Sequence, residues 1–120
     1  MGRRSRRRDG SAERLRAPVS EYADADGNVL VLRGALTPGS RRDYEAALAG
    51  SPLSRDDAEQ RALELLFERL ASRWTIAGVA SEGQRELLGR LRLASAAERQ
   101  WVRETLRVHC AEHFPDVNVP

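Results

Sequence analysis

Five residues near the end of the chain combine side-chain types that bind transition metals. The stretch His109-Cys-Ala-Glu-His113 contains both histidines of this 120-residue sequence, and Glu112 lies between them. Side chains three and four positions apart share one face of a helix, so His109, Glu112 and His113 would point in one direction. Imidazole nitrogens and a carboxylate on one helix face are suited to zinc. The spacing therefore makes these three residues a candidate metal site.

The pattern H-x-x-E-H resembles the motif of a group of zinc peptidases, the inverzincins. This resemblance implies that His109 and His113 bind zinc and that Glu112 activates a water molecule. It covers five residues only, and a catalytic zinc site takes three protein ligands and leaves one position open. Among the residues that follow the motif, only Asp116 carries a carboxylate. A third ligand would have to come from upstream residues or from a second chain.

The residues around the motif favour a structural role for the two histidines. In an ideal helix, both histidines fall within the apolar arc that Trp101 and Leu106 define. We therefore expect them to pack against the core, with no metal, no cofactor and no enzymatic activity. A metal site at the three residues of the motif is the alternative.

Charge is distributed unevenly along the chain. Residues 1–16 carry seven arginines against two acids, a net charge of +5, whereas the remaining residues carry 13 arginines against 16 acids, a net charge of −3. A segment with so much charge and so little apolar surface is typical of disorder, so we predict a disordered tail over residues 1–17. Its arginines would neutralise phosphates without reading sequence, although anionic lipid, an acidic protein or no partner at all are alternatives. The arginines that we expect to contact a polyanion are Arg3, Arg4, Arg6, Arg7 and Arg8.

The composition limits the class of protein. Every basic side chain is arginine and lysine is absent, which favours a GC-rich bacterial genome. The single cysteine, Cys110, excludes an internal disulfide, is a poor nucleophile candidate and favours a cytoplasmic location. The longest apolar runs, such as residues 29–32 and 65–67, are far shorter than the roughly 20 residues of a membrane-spanning helix.

The elements that must position these residues follow from turn signals and apolar periodicity. Asp26-Gly27 predicts a two-residue turn of a β-hairpin, in which Ala23 faces Leu30. The sequence TIAGVASEG predicts a loop with at most a short extended start. Four helical segments are predicted: one from Thr37 or Ser40 to Gly50, a long one capped by Ser54 and reaching Trp74, a short one from Gln84 to Leu93, and a last one opened by the Ser95–Glu98 capping box and ended by Pro115.

The last two helices also permit a DNA-binding alternative. A short helix, a turn and a longer helix are the order of a helix-turn-helix. Arg99, Arg103 and Arg107 form a basic stripe on the longer helix, beside its apolar arc. On a recognition helix, this stripe would contact phosphates and base edges.

These observations predict a mainly α fold, with about four helices and an N-terminal β-hairpin packed on them, in a single domain over residues 18–120. The favoured function is a small non-enzymatic interaction or adaptor protein. Its helical body would bind a protein partner or itself, and its arginine-rich tail would contact a polyanion. The metal-binding and DNA-binding alternatives stay open.

Overall fold

The computed structural model describes residues 18–50 and 54–120. The predicted disordered tail over residues 1–17 lies outside the described residues. Within them, each of two β-hairpins is followed by two helices. The elements in order are β1 (Val19–Ala23), β2 (Val29–Arg33), α1 (Pro38–Ala49), α2 (Arg55–Leu70), β3 (Ala71–Ile76), β4 (Val79–Glu82), α3 (Gln84–Arg92) and α4 (Ala96–His113).

The expected mainly α fold is wrong, because the second hairpin extends the first into a sheet. The four strands form one antiparallel sheet in the order β1-β2-β3-β4. Of the described residues, 55% are helical and 20% lie in strands. The fold is therefore a four-stranded antiparallel sheet combined with four helices, and no helix in the described ranges is long and apolar enough to cross a membrane.

The helix predicted to reach Trp74 ends at Leu70, and β3 begins at the next residue. Ala71 and Trp74 are both buried, and their spacing of three residues resembles one turn of a helix. In the structure, a register irregularity against β2, where Leu32 pairs with Ala71 and Val31 pairs with Arg73, produces that spacing within a strand. The loop predicted over residues 75–83 is also wrong, because this segment contains the end of β3, a two-residue turn and all of β4.

That turn uses Ala77 and Gly78, which both have positive φ values of 51° and 80°. Positive φ at both central residues is the pattern of a type I′ turn, whose twist matches that of the flanking strands. Glycine is the usual residue in this conformation, so the sequence does not predict a two-residue turn with alanine at its first position. The preceding Trp74-Thr-Ile segment has the aromatic and β-branched side chains that favour strands.

The first hairpin is present, but its register differs from the prediction by one residue. Leu30 pairs with Tyr22 and not with Ala23. The amide of Gly27 donates to the carbonyl of Asp24 at 3.1 Å, and Gly27 has a φ of 81°, so the loop has three residues and ends in a glycine bulge. A shift of one residue moves every side chain of a strand to the opposite face. Tyr22 thereby joins the side of the sheet that packs against the helices.

Capping residues place most of the helices where the sequence predicts them. Thr37 caps the start of α1 and Gly50 is its C-cap, and Ser95 forms the predicted capping box with Glu98 at the start of α4. The predicted side-chain cap at Ser54 is wrong, because its side chain makes no capping hydrogen bond. A side-chain cap such as that of Thr37 or Ser95 stabilises its helix by about 1 kcal/mol.

The core lies between one face of the sheet and the helices. A fully buried leucine stabilises a fold by about 1.5–3 kcal/mol, so the leucine-rich α2 contributes much of the stability. Trp74 packs edge-on against Phe67, with ring centroids 5.8 Å apart. Fully buried core side chains include Leu30, Leu32, Leu66, Phe67, Leu70, Trp74, Leu106 and Cys110.

Candidate functional site

The candidate metal motif lies at the C-terminal end of α4, where the helix contacts β1. His109 is fully buried. Its Nε2 lies 2.8 Å from the carbonyl oxygen of Arg33, and its Nδ1 lies 2.8 Å from the hydroxyl of Tyr22. Because a carbonyl oxygen only accepts, Nε2 carries the proton, and Nδ1 accepts from the tyrosine hydroxyl. Because burial disfavours the charged ring, His109 is a neutral imidazole with both nitrogens hydrogen-bonded.

His113 lies one turn later and makes a second contact with β1. Its Nε2 lies 3.2 Å from the hydroxyl oxygen of Ser20. The rings of His109 and His113 are tilted by 38°, with centroids 4.4 Å apart. We call Ser20, Tyr22, His109, His113 and the carbonyl of Arg33 the β1–α4 seam. The expectation that both histidines face the core side of the helix agrees with this packing.

Burial determines the protonation of the seam. It lowers the pKa of His109, because the charged imidazolium would lose its hydration; the hydrogen bond to the Arg33 carbonyl opposes this change, and His113 adds to it. Burial likewise raises the pKa of Tyr22. Both groups are therefore uncharged near neutral pH.

The backbone beside the seam leaves room only for glycine. The amide of Gly34 donates to the carbonyl of Pro18 at 2.6 Å. A Cβ atom at position 34 would lie 2.8 Å from that carbonyl oxygen and 3.4 Å from Nδ1 of His113. The close approach fixes the start of β1 against β2 and next to the histidine ring.

The remaining residues of the motif do not complete a metal or nucleophile site. Glu112 is exposed, whereas His109 beside it is buried. Among residues 18–50 and 54–120, no group of three or more His, Cys, Asp or Glu side chains is placed to hold a metal ion. A metal at His109 would first have to displace Tyr22 or the Arg33 carbonyl. Burial raises the pKa of the Cys110 thiol to about 11, so this thiol is protonated and a weak nucleophile.

The pair of Ser20 and His113 has the residue types of a nucleophile and its base. Catalytic serine needs a histidine that a third group, usually a carboxylate, holds in the correct tautomer. In the part of the chain that the structure describes, no carboxylate hydrogen-bonds to His113. The geometry of the seam favours a structural role, in which hydrogen bonds connect β1 to α4, over a catalytic role in acyl transfer.

The three arginines of the candidate DNA-binding stripe have different surroundings. Arg99 donates to the carbonyls of Arg92 and Ala94, both at 3.1 Å, and so satisfies the C-terminal end of α3. Arg107 pairs with Glu104 at 2.9 Å. Arg103 lies at the edge of a groove. DNA binding by this stripe stays an untested alternative. The arginines predicted to contact a polyanion, Arg3, Arg4, Arg6, Arg7 and Arg8, lie outside the described residues.

That groove is a cavity of about 250 Å³ between α2, α3 and α4, which we call the α2–α4 groove. Its base consists of buried aliphatic side chains, and its edge carries two arginines and two glutamines. The sequence places Arg99 and Arg103 in the basic stripe of α4. It could not predict the groove, because the groove depends on how three helices pack. Its lining residues are Gln60, Leu63, Leu91, Ala96, Arg99, Gln100, Val102, Arg103 and Leu106.

Comparison with known proteins adds no family to these observations. No protein-family model matches this chain. No curated protein and no solved structure is significantly similar to it. Its function must therefore be inferred from the charge distribution, the β1–α4 seam and the α2–α4 groove.

Proposed function

We propose that this chain is a small non-enzymatic interaction protein of the cytoplasm. Its folded body binds a protein partner or a second copy of itself, and its arginine-rich N-terminal segment attaches to a polyanion. The observation that carries this proposal is the separation of charge, +5 over residues 1–16 and −3 over the rest.

The physical basis of the attachment is counterion release. Each arginine that neutralises a phosphate frees a condensed cation, which favours binding at low salt and weakens it steeply at high salt. Residues 1–16 contain no aromatic side chain that could stack on a base, so this binding is blind to sequence. The net acidic body is repelled by a polyanion and stays available for another partner.

The features of the body support an interaction role over catalysis. Two residues whose types could take part in catalysis are not available for it: His109 is hydrogen-bonded at both nitrogens, and the Cys110 thiol is buried and protonated. A buried thiol and a single cysteine also suit a reducing cytoplasm.

A charge-neutral variant of the full chain tests the attachment. Replacing Arg3, Arg4, Arg6, Arg7 and Arg8 by glutamine should weaken binding to a labelled DNA duplex. It should also reduce the slope of log affinity against log salt by about 4.5, since each contacted phosphate contributes roughly 0.9. Fluorescence anisotropy over a range of salt concentrations measures both quantities. Vesicles with and without phosphatidylserine, run in parallel, distinguish a nucleic acid from a lipid surface.

A second variant with the same change in net charge is the control. It carries five glutamines in the body and should bind DNA nearly as well as the wild type. Equal losses in the two variants would mean that total charge and not the N-terminal segment is responsible. An unchanged salt slope in the first variant would refute the attachment. The five exposed positions of the control are Arg42, Arg55, Arg61, Arg73 and Arg85.

A further inference from the structure

We infer that the α2–α4 groove binds an acidic amphipathic helix of a partner protein. This inference rests on the proposed function and deepens it, because it gives the body a binding surface and its partner a chemistry. Three features of the groove carry it: the aliphatic base, the charge of the edge and the helical spacing of the lining residues.

The base of the groove is apolar and continuous across three helices. Leu63 of α2, Leu91 of α3, and Val102 and Leu106 of α4 line it, and each is at most 7% exposed. Leu93, which follows the lining residue Leu91 in the turn between α3 and α4, is 85% exposed. Apolar surface with polar residues at its rim, as in this groove, is typical of a site that binds another molecule.

The positive charge at the edge of the groove favours an occupant with negative charge. Arginine is the only charged residue type that lines the groove, although the body as a whole is net acidic. Arg99 is held in place by two carbonyls at the end of α3. Arg103 makes none of the ion pairs found within the described ranges, so its guanidinium is available to a carboxylate. Charge complementarity of this kind favours an acidic occupant and disfavours the arginine-rich N-terminus of the chain itself.

The spacing of the lining residues suits a helix as the occupant. Val102 and Leu106 are one turn apart on α4, and so are Arg99 and Arg103. These two parallel rows form one apolar and one basic track along the groove. An amphipathic helix places apolar anchors at i, i+3 or i+4 and i+7 on one side, and its flanking carboxylates reach the basic track.

A displayed library of random peptides, selected on the full-length protein, tests the inference. We expect enrichment of peptides with leucine or phenylalanine at i, i+3 or i+4 and i+7, and with aspartate or glutamate between them. The same selection on Arg103→Glu should enrich lysine or arginine at the flanking positions. For the wild-type consensus peptide, anisotropy should show affinity about tenfold lower for Arg103→Glu than for the wild type.

Two controls separate binding from folding and from the N-terminal attachment. Arg42→Glu makes the same charge change at an exposed position of α1 and should leave peptide affinity unchanged. The variant with five glutamines in residues 3–8 should also bind the peptide normally. If the five-glutamine variant loses DNA binding and keeps peptide binding, the loss concerns the N-terminal attachment alone. If Arg103→Glu loses peptide binding and keeps DNA binding, the loss concerns the groove alone.

Several outcomes would overturn the inference. One is enrichment of peptides with no preference for acidic residues, or with the same preference in Arg103→Glu. Another is the absence of any enriched peptide. If instead the protein dimerises in sedimentation experiments and Arg103→Glu abolishes the dimer without any peptide being enriched, the occupant is a second copy and not an acidic partner helix.

Discussion

The two ends of α4 differ in how their polar side chains are paired. At the C-terminal end, His109 uses both ring nitrogens within the protein, and His113 contacts Ser20. Towards the N-terminal end, Arg103 faces an apolar groove and makes none of the ion pairs of the described residues. A buried polar group with all its partners stabilises one conformation, whereas an available charge beside apolar surface is suited to a partner. The histidines of the metal-like motif thus connect α4 to the first hairpin, whereas two arginines of the candidate DNA-binding stripe line the α2–α4 groove.

Replacing His109 by alanine should have the largest effect on stability. The substitution leaves a cavity and removes the partners of the Tyr22 hydroxyl and the Arg33 carbonyl, so we expect a loss of about 3–4 kcal/mol in the free energy of unfolding. Urea denaturation followed by circular dichroism measures this loss. His113→Ala, at a half-buried ring with one longer hydrogen bond, should lose only about 1 kcal/mol. Equal losses of unfolding free energy in the two variants would contradict the conclusion that His109 contributes more to stability than the half-buried His113.

Replacing Gly34 by alanine should have the next largest effect, at about 2 kcal/mol, because the new Cβ would lie too close to a backbone carbonyl that cannot move freely. The matched control is Gly89→Ala on α3, where a Cβ would have no neighbour within 4 Å. Alanine there should stabilise the protein by about 0.5–1 kcal/mol through helix propensity. Thermal denaturation of the two variants should therefore shift the melting temperature in opposite directions. A neutral Gly34→Ala would show that β1 is not held tightly against the seam.

Much of α4 could be predicted from the sequence, because its signals are local. The Ser95–Glu98 capping box sets its start, and the apolar arc that includes both histidines predicts the face it buries. The partners of those histidines could not be predicted, because Tyr22 and Ser20 reach them only through the register of the first hairpin. That register depends on whether the turn has two or three residues, a difference of one glycine bulge.

The sheet and the groove were missed for a related reason. In β3, the irregular pairing places Ala71 and Trp74 on one face with helix-like spacing, and the turn after it contains an alanine with positive φ. Local periodicity therefore predicts that helix α2 continues to Trp74. Only the pairing with β2 shows that residues 71–76 form a strand instead. The groove needs α2, α3 and α4 in their packed arrangement, so no stretch of sequence contains it.

The pH dependence of stability should show the smallest effect and should come from the seam. Burial holds the pKa of His109 below its ordinary value of 6.5, so the unfolded chain binds a proton more readily than the folded protein does. This group's contribution to stability is present above about pH 6.5 and decreases as the pH falls below that value. The charged form is also opposed by His113 on the same helix, and Tyr22 on β1 would have to reverse its hydrogen bond. NMR titration of the two imidazole rings measures the midpoint for His109, which should lie below 6.5. A midpoint at or above that value would mean that the ring is hydrated, and the seam would then be as open to a ligand as the groove.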